Sequence, residues 1–205
     1  LFTAEHKERL KHLSVPIVIL AQRLDGYSCV YSDDYHASLD LTSRLAKTGH
    51  VFGFINAESR DEAVGRSRKK GFEDGLNQAG QEHAPRYYAE AVFSMESGYQ
   101  MAKKLFTDHP DIDTLLCATD TIASGALRYF HEQEIPVPEQ VQIAGFGDSS
   151  IARATTPTLT TAHFFYEEAG SEAGKILLDM MQEKEHPLNR ELKLGFSTIV
   201  RDSTR

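Results

Sequence analysis

The side chains able to do chemistry in this chain are Arg68, Thr119 with Asp120, and Asp148 beside Gly147, joined by Asn56. Each stands at the carboxyl end of an apolar run or in the adjoining turn, and Arg68 lies one turn inside a predicted helix. Guanidinium groups donate, carboxylates accept, and hydroxyls and amides do both, so this set can bond a ligand without a strong charge of its own. A neutral polyol such as a sugar fits that description. Phe93, Phe164, Phe165 and Tyr166 stand at strand–helix junctions, and their flat faces suit the C–H faces of a sugar ring. Each residue also has a plain structural role open to it. Asp120 and Asp148 can cap or turn, Arg68 within Arg66-Ser-Arg68-Lys-Lys70 can line a solvated helix face, and the rings can pack in a core.

Enzymatic patterns are missing. The chain has no Gly-x-Ser-x-Gly elbow, no His-Glu-x-x-His and no Gly-Lys-Ser/Thr phosphate loop. Gly145-Phe-Gly147 begins like a dinucleotide fingerprint, but no third glycine follows at the right spacing. The nine histidines are scattered without ligand spacing. The expectation is a binding module rather than an enzyme, with no catalytic residue, metal or cofactor.

Placing these residues requires alternating strands and helices. Val15–Ala21 and Cys29–Tyr31 read as strands, and Ser32-Asp-Asp34 opens a helix to about Thr48, with Gly49 as its stop. Val51–Ile55 is a strand, and Ser59-Arg-Asp-Glu62 has capping-box spacing ahead of a helix to about Ala79. An extended piece near Tyr87–Ala91, a helix Ser94–Thr107, a strand Thr114–Ala118 and a helix Asp120–Gln133 come next. Val141–Phe146 is a buried strand, bounded on its far side by a loop and a second extended run ending near Phe164. Ala169, Ala173, Ile176, Leu177, Met180 and Met181 form a helical stripe over Glu167–Lys184, and Leu192–Val200 reads as one last extended run ahead of a polar tail, Arg201–Arg205. Repeated β-then-α units predict a mainly parallel sheet with helices on both faces. Ligands of such sheets bind beyond the carboxyl ends of the strands.

Composition narrows the partners. At 205 residues, 40% hydrophobic and 25% charged, the chain can bury a sizeable core in one or two domains. A net charge of -8 argues against a broad nucleic-acid footprint on this chain. No apolar run approaches a membrane span, and Cys29 and Cys117 read as reduced core residues, so the expectation is a cytoplasmic protein without a membrane partner. Leu1–His12 reads as the tail of an amphipathic helix, which suggests a piece of a longer chain.

Four segments resemble the effector-binding core of the LacI/GalR family of transcriptional regulators. They are Gly65-Arg-Ser-Arg-Lys-Lys-Gly-Phe-Glu-Asp-Gly75, Ala118-Thr-Asp-Thr-Ile-Ala-Ser-Gly-Ala126, Ile143-Ala-Gly-Phe-Gly-Asp148 and Thr156-Pro-Thr-Leu-Thr-Thr161. The resemblance runs from about Val15 to Val200 and is closest to sucrose operon repressors. It implies an α/β fold like that of periplasmic binding proteins. Two lobes of parallel sheet flanked by helices are joined by three crossovers, with the effector in the cleft and the first lobe incomplete. The implied lobes are residues 1–31 with 163–190, and 32–162 with 191–205, with Leu159–Phe164 as the third crossover. The implied effector contacts are Arg68, Phe93 as an aromatic wall, Thr119 in place of the usual Asn, Asp120, Asp148, Phe164, Tyr166, and Ala21 where many members carry Asp. Gly147 replaces the first of a usual acid pair, which points away from a lactose-like contact set. The implied function is sensing of a sugar or sugar phosphate, sucrose or fructose first, by a homodimeric repressor. Operator DNA would be held by a headpiece that does not precede Leu1. A sugar-binding protein of a transport system is the alternative on the same fold.

Overall fold

The structure, a computed structural model, describes residues 4–182 and 188–205. The expected helix end at Lys184 and the apolar residues Leu1 and Phe2 lie outside them. The chain divides into two compact units: residues 1–33 with 165–196, and residues 34–164 with 197–205. It therefore passes from one unit to the other at three places.

The first unit holds α1 (Ala4–Lys11), β1 (Val18–Leu20), β2 (Ser28–Ser32), α7 (Tyr166–Gln182) and β8 (Glu191–Leu194). Its sheet runs β1-β2-β8, all parallel, with Ile19 opposite Cys29 and Val30 opposite Leu192. Neighbouring residues of a strand point to opposite faces. Cys29 accordingly packs with Ile19 and Leu24 on one side, and Val30 packs with Ala173 and Ile176 of α7 on the other. The expected strand Val15–Ala21 is shorter than its apolar run. Pro16 offers no N–H to a ladder, and Ala21 turns the chain away at φ 68°.

The second unit holds α2 (Asp34–Leu45), β3 (Phe52–Asn56), a π-helical turn (Glu62–Ser67) leading into α3 (Arg68–Gln78), β4 (Arg86–Glu90) and α4 (Met95–Asp108). It continues through β5 (Thr114–Cys117), α5 (Asp120–Glu132), β6 (Gln142–Gly147), α6 (Ser150–Ala154), β7 (Thr160–Phe164) and β9 (Phe196–Ile199). The strand order is β4-β3-β5-β6-β7-β9, with the β4-to-β7 pairs parallel. Right-handed crossovers put α3 on one face and α4 with α5 on the other. On the α3 face Phe72 packs against Phe54 and Tyr88, and on the other Phe106 meets Phe130 at 4.7 Å.

Three local expectations change. The start of the α3 region is capped by Asp61, whose carboxylate accepts from the Val64 N–H at 2.8 Å, not by Ser59. The stretch Leu159–Phe164, expected to carry the chain between lobes, is strand β7 inside the sheet, and the passage comes after it. The run Leu192–Val200 is two strands, β8 and β9, which pair in different sheets on either side of Gly195.

Candidate functional site

Four strands of the second unit, β3, β5, β6 and β7, end side by side, and their carboxyl ends gather the polar residues named from the sequence. The π-helical turn sets the first of them. In it the Arg66 N–H donates to the Asp61 carbonyl five residues back, and the Ser67 hydroxyl donates to the Glu62 carbonyl. A turn wider than an α-helix re-aims the helix it leads into, a device frequent at functional sites. Asn56, buried at the end of β3, fixes the same turn by donating from Nδ2 to the Gly65 carbonyl at 2.7 Å.

Arg68 succeeds that turn as the first residue of α3 and is buried. Its Nε and Nη2 lie 2.8 and 2.7 Å from Asp34 Oδ1, and its Nη1 donates to the Ala118 carbonyl. The guanidinium carbon is 4.7 Å from the centre of the Phe146 ring and 5.1 Å from that of Phe164. These two rings are parallel within 11°. The guanidinium lies over both rings, and ring faces beneath a planar cation offset part of the hydration it loses on burial. Asp34 begins α2, so one ion pair ties that helix to the carboxyl ends of β5, β6 and β7.

Thr119 caps α5, its hydroxyl accepting from the Ile122 N–H at 3.2 Å. Asp120 is buried to 1% exposure. Its Oδ2 accepts from the Ser149 N–H at 2.9 Å and the Ser149 hydroxyl at 3.1 Å, and its Oδ1 accepts from Thr161 at 2.6 Å. Burial pushes its pKa up, and those hydrogen bonds oppose the rise. The carboxylate fits because Gly145 lies beneath it: a Cβ there would come within 2.7 Å of Asp120 Oδ1. Asp148, at φ 48°, bonds Arg201 at 2.5 Å and His163 at 3.1 Å. Burial by itself would raise its pKa, but the hydrogen bond and charge of Arg201 hold it below the usual carboxylate range.

The structure thus brings Arg68, Thr119, Asp120, Asp148 and Phe164 to one end of one sheet. Phe164 is buried at the end of β7, while Phe93, between β4 and α4, is 55% exposed. Ala21, after β1, and Tyr166, at the start of α7, belong to the first unit, where both are exposed. The partners Asp34, Ser149, Thr161 and Arg201 carry no such signal in the sequence. Asp34 reads there as a helix cap and Arg201 as part of a polar tail, and the pairs they form join residues 29 to 53 positions apart. Among the described residues no group of three or more His, Cys, Asp or Glu could hold a metal, and no helix is long and apolar enough to cross a membrane.

Parallel strands ending in a crowd of hydrogen-bonding groups, in a chain of two units joined by three passages, define a ligand-binding module of the periplasmic-binding-protein type. Residues 42–204 match the family described as periplasmic binding protein-like domain. The chain belongs to that family, and its relatives are LacI-family regulators. The HTH-type transcriptional repressor PurR of Haemophilus influenzae is 26% identical over 208 aligned residues, covering 100% of this chain and 62% of the relative. The sucrose operon repressor of Staphylococcus xylosus is 28% identical, over 89% of this chain and 56% of that protein. A LacI family transcriptional regulator from Enterococcus faecium, solved with bound ribose, superposes with a TM-score of 0.87 at 25% identity, covering 98% of this chain and 76% of that one. The chain thus spans somewhat under two thirds of the curated relatives it matches.

Proposed function

We propose that this chain is the sugar-sensing part of a LacI/GalR-type repressor that controls a carbohydrate-utilisation operon, and that it acts without catalysis. The observation that carries this reading is Arg68, a buried guanidinium lying over the Phe146 and Phe164 rings and tied to the carbonyl just before Thr119. Its fixed fork offers directed donors to sugar hydroxyls, Thr119 adds a hydroxyl, and Phe93 supplies an exposed ring face. Asp120 and Asp148 act mainly by holding the strand ends in place, since hydrogen bonds within the protein already engage their oxygens. Phe164 shapes the site by supporting the Arg68 guanidinium over its ring. Ala21 and Tyr166 are proposed contacts on the strength of the family resemblance alone.

The effector is a neutral sugar or a sugar phosphate, with sucrose and fructose the first candidates. The ribose-bound neighbour and the sucrose operon repressor support a carbohydrate and leave its identity open. Operator DNA is contacted by a segment outside this chain, in a cytoplasmic homodimer. Effector binding shifts the protein between two states by its difference in affinity for them. The regulator names of the relatives favour this over a transport role.

A thermal-shift panel of sucrose, fructose, ribose and their phosphates on the full-length protein tests the reading, because a ligand that binds only the folded form raises the melting temperature. One sugar of the panel is expected to stabilise wild type and to fail with Arg68→Gln. Silence across the whole panel would sink the carbohydrate reading.

A further inference from the structure

At the amino ends of the same strands the second unit has a concavity. The end of α2 reaches it, since Gln142, the first residue of β6, donates from Nε2 to the Leu45 carbonyl at 3.0 Å and to Thr114 at 3.0 Å. Thr160, the first residue of β7, lies there too. Residues from α2, β7 and the segment after β9 enclose about 180 Å³, with Leu41, Leu45 and Val200 as apolar wall and Arg44, Lys47 and Arg205 as charged wall. Space of that size holds a molecule of several non-hydrogen atoms rather than one or two waters.

The charge around it runs against the sign of the whole chain, which is -8. Asp40 offsets part of it, pairing with Arg44 at 2.8 Å while accepting from the Thr198 hydroxyl at 2.6 Å. Neither Lys47 nor Arg205 forms an ion pair among the described residues. Cations near a helix end ordinarily complement its carbonyls. That accounts for Arg44, which already has Asp40 one turn back. Arg205, from the opposite end of the sequence, donates from Nη2 to the Asp113 carbonyl at 3.4 Å and so brings a third cation to the same wall, beside Val200, which is left 63% exposed. We propose that this concavity binds a small organic anion: Lys47, Arg44 and Arg205 hold a phosphate or carboxylate, and Leu41, Leu45 and Val200 cover a short carbon stem. The proposal does not rest on the effector reading, because it uses none of the residues at the carboxyl ends of the strands.

Calorimetric titration of the 205-residue chain in phosphate-free, low-salt buffer tests it, with propyl phosphate and inorganic phosphate as separate probes. Propyl phosphate is expected to bind, and more tightly than inorganic phosphate. Lys47→Glu and Arg44→Gln are each expected to weaken it about tenfold or more, as loss of a charge-assisted hydrogen bond does, with an unchanged thermal midpoint because both side chains are exposed. Lys47→Gln, a milder change, is expected to weaken it in the same direction. Absence of binding to wild type overturns the site. Binding that survives Lys47→Glu places the anion elsewhere and overturns it equally, and equal affinity for the two probes overturns the role of the apolar wall.

Discussion

Removing the guanidinium of Arg68 leaves the Asp34 carboxylate, 7% exposed, without its partner. Breaking one side of a buried pair is strongly destabilising, so Arg68→Ala is expected to cost about 3 kcal/mol in denaturant unfolding. Asp34→Leu added to Arg68→Met is expected to recover most of that loss, since the double variant strands no charge. A single-mutant cost below about 1 kcal/mol would mean that the pair is not desolvated as described. The two site acids act on the pH dependence with opposite signs. Asp148 has a lowered folded-state pKa, so its contribution is present above the ordinary carboxylate pKa and is lost as pH falls through the lower folded value. Asp120 has a raised one, so its contribution is full below the ordinary value and is lost as pH rises through the folded value. Asp148→Asn is therefore expected to flatten the acid limb of stability against pH and Asp120→Asn to steepen it. Urea titrations from neutral to acid pH would read both, and an unchanged acid limb in Asp148→Asn would remove Arg201 as the cause.

Helices α4 and α5 pack at their glycines. A Cβ on Gly125 would run into the Met95 carbonyl oxygen and one on Gly98 into that of Ile122, both main-chain atoms with nowhere to move. Gly125→Ala is expected to destabilise by about 1–3 kcal/mol, the range for overpacking a tight contact, despite the gain in helix propensity that alanine brings. A neutral or stabilising result in thermal unfolding would show that the two helices separate freely. Ser94 begins α4 with its hydroxyl accepting from the Ser97 N–H at 3.1 Å, and Ser94→Ala is expected to cost about 1 kcal/mol by the same measurement.

At the scale of the molecule the two units differ in what they bury. Among the described residues the fully buried phenylalanines, Phe52, Phe54, Phe72, Phe130 and Phe164, all belong to the second unit. The first has a three-stranded sheet whose small core includes Ile19, Leu24 and Cys29 on one face and Val30, Ala173 and Ile176 on the other. Apolar burial of that modest extent opens more easily. In hydrogen exchange of the 205-residue chain, the amides of β1, β2 and β8 are expected to exchange well before those of β3, β5 and β6. Equal protection in both sheets would contradict the difference.

The α/β architecture is legible in the chain, because apolar runs such as Phe52–Asn56 and Thr114–Cys117 alternate with amphipathic helices such as Met95–Asp108, and that pattern is local. The same local pattern puts Thr119, Asp120 and Asp148 at strand ends and Arg68 in the helix that follows β3, since each residue adjoins the run that places it. Its errors fell where two local signals compete. Ser59 and Asp61 are both residue types that cap helices, and in the fold it is the Asp61 carboxylate that accepts from the Val64 N–H. Leu159–Phe164 has the look of a connection, and becomes a strand only because β6 offers it a partner, with Gly145 opposite Thr161. Tertiary structure alone decided what the charged groups do. Asp34 reaches Arg68 across 34 positions and Arg201 reaches Asp148 across 53, and burial makes those pairings obligatory for a carboxylate that water no longer solvates. No periodicity in the chain encodes a partner at such a distance. The polar residues gathered at the strand ends were therefore legible one by one, and the hydrogen bonds that tie Arg68 to Asp34 and to the Ala118 carbonyl were not.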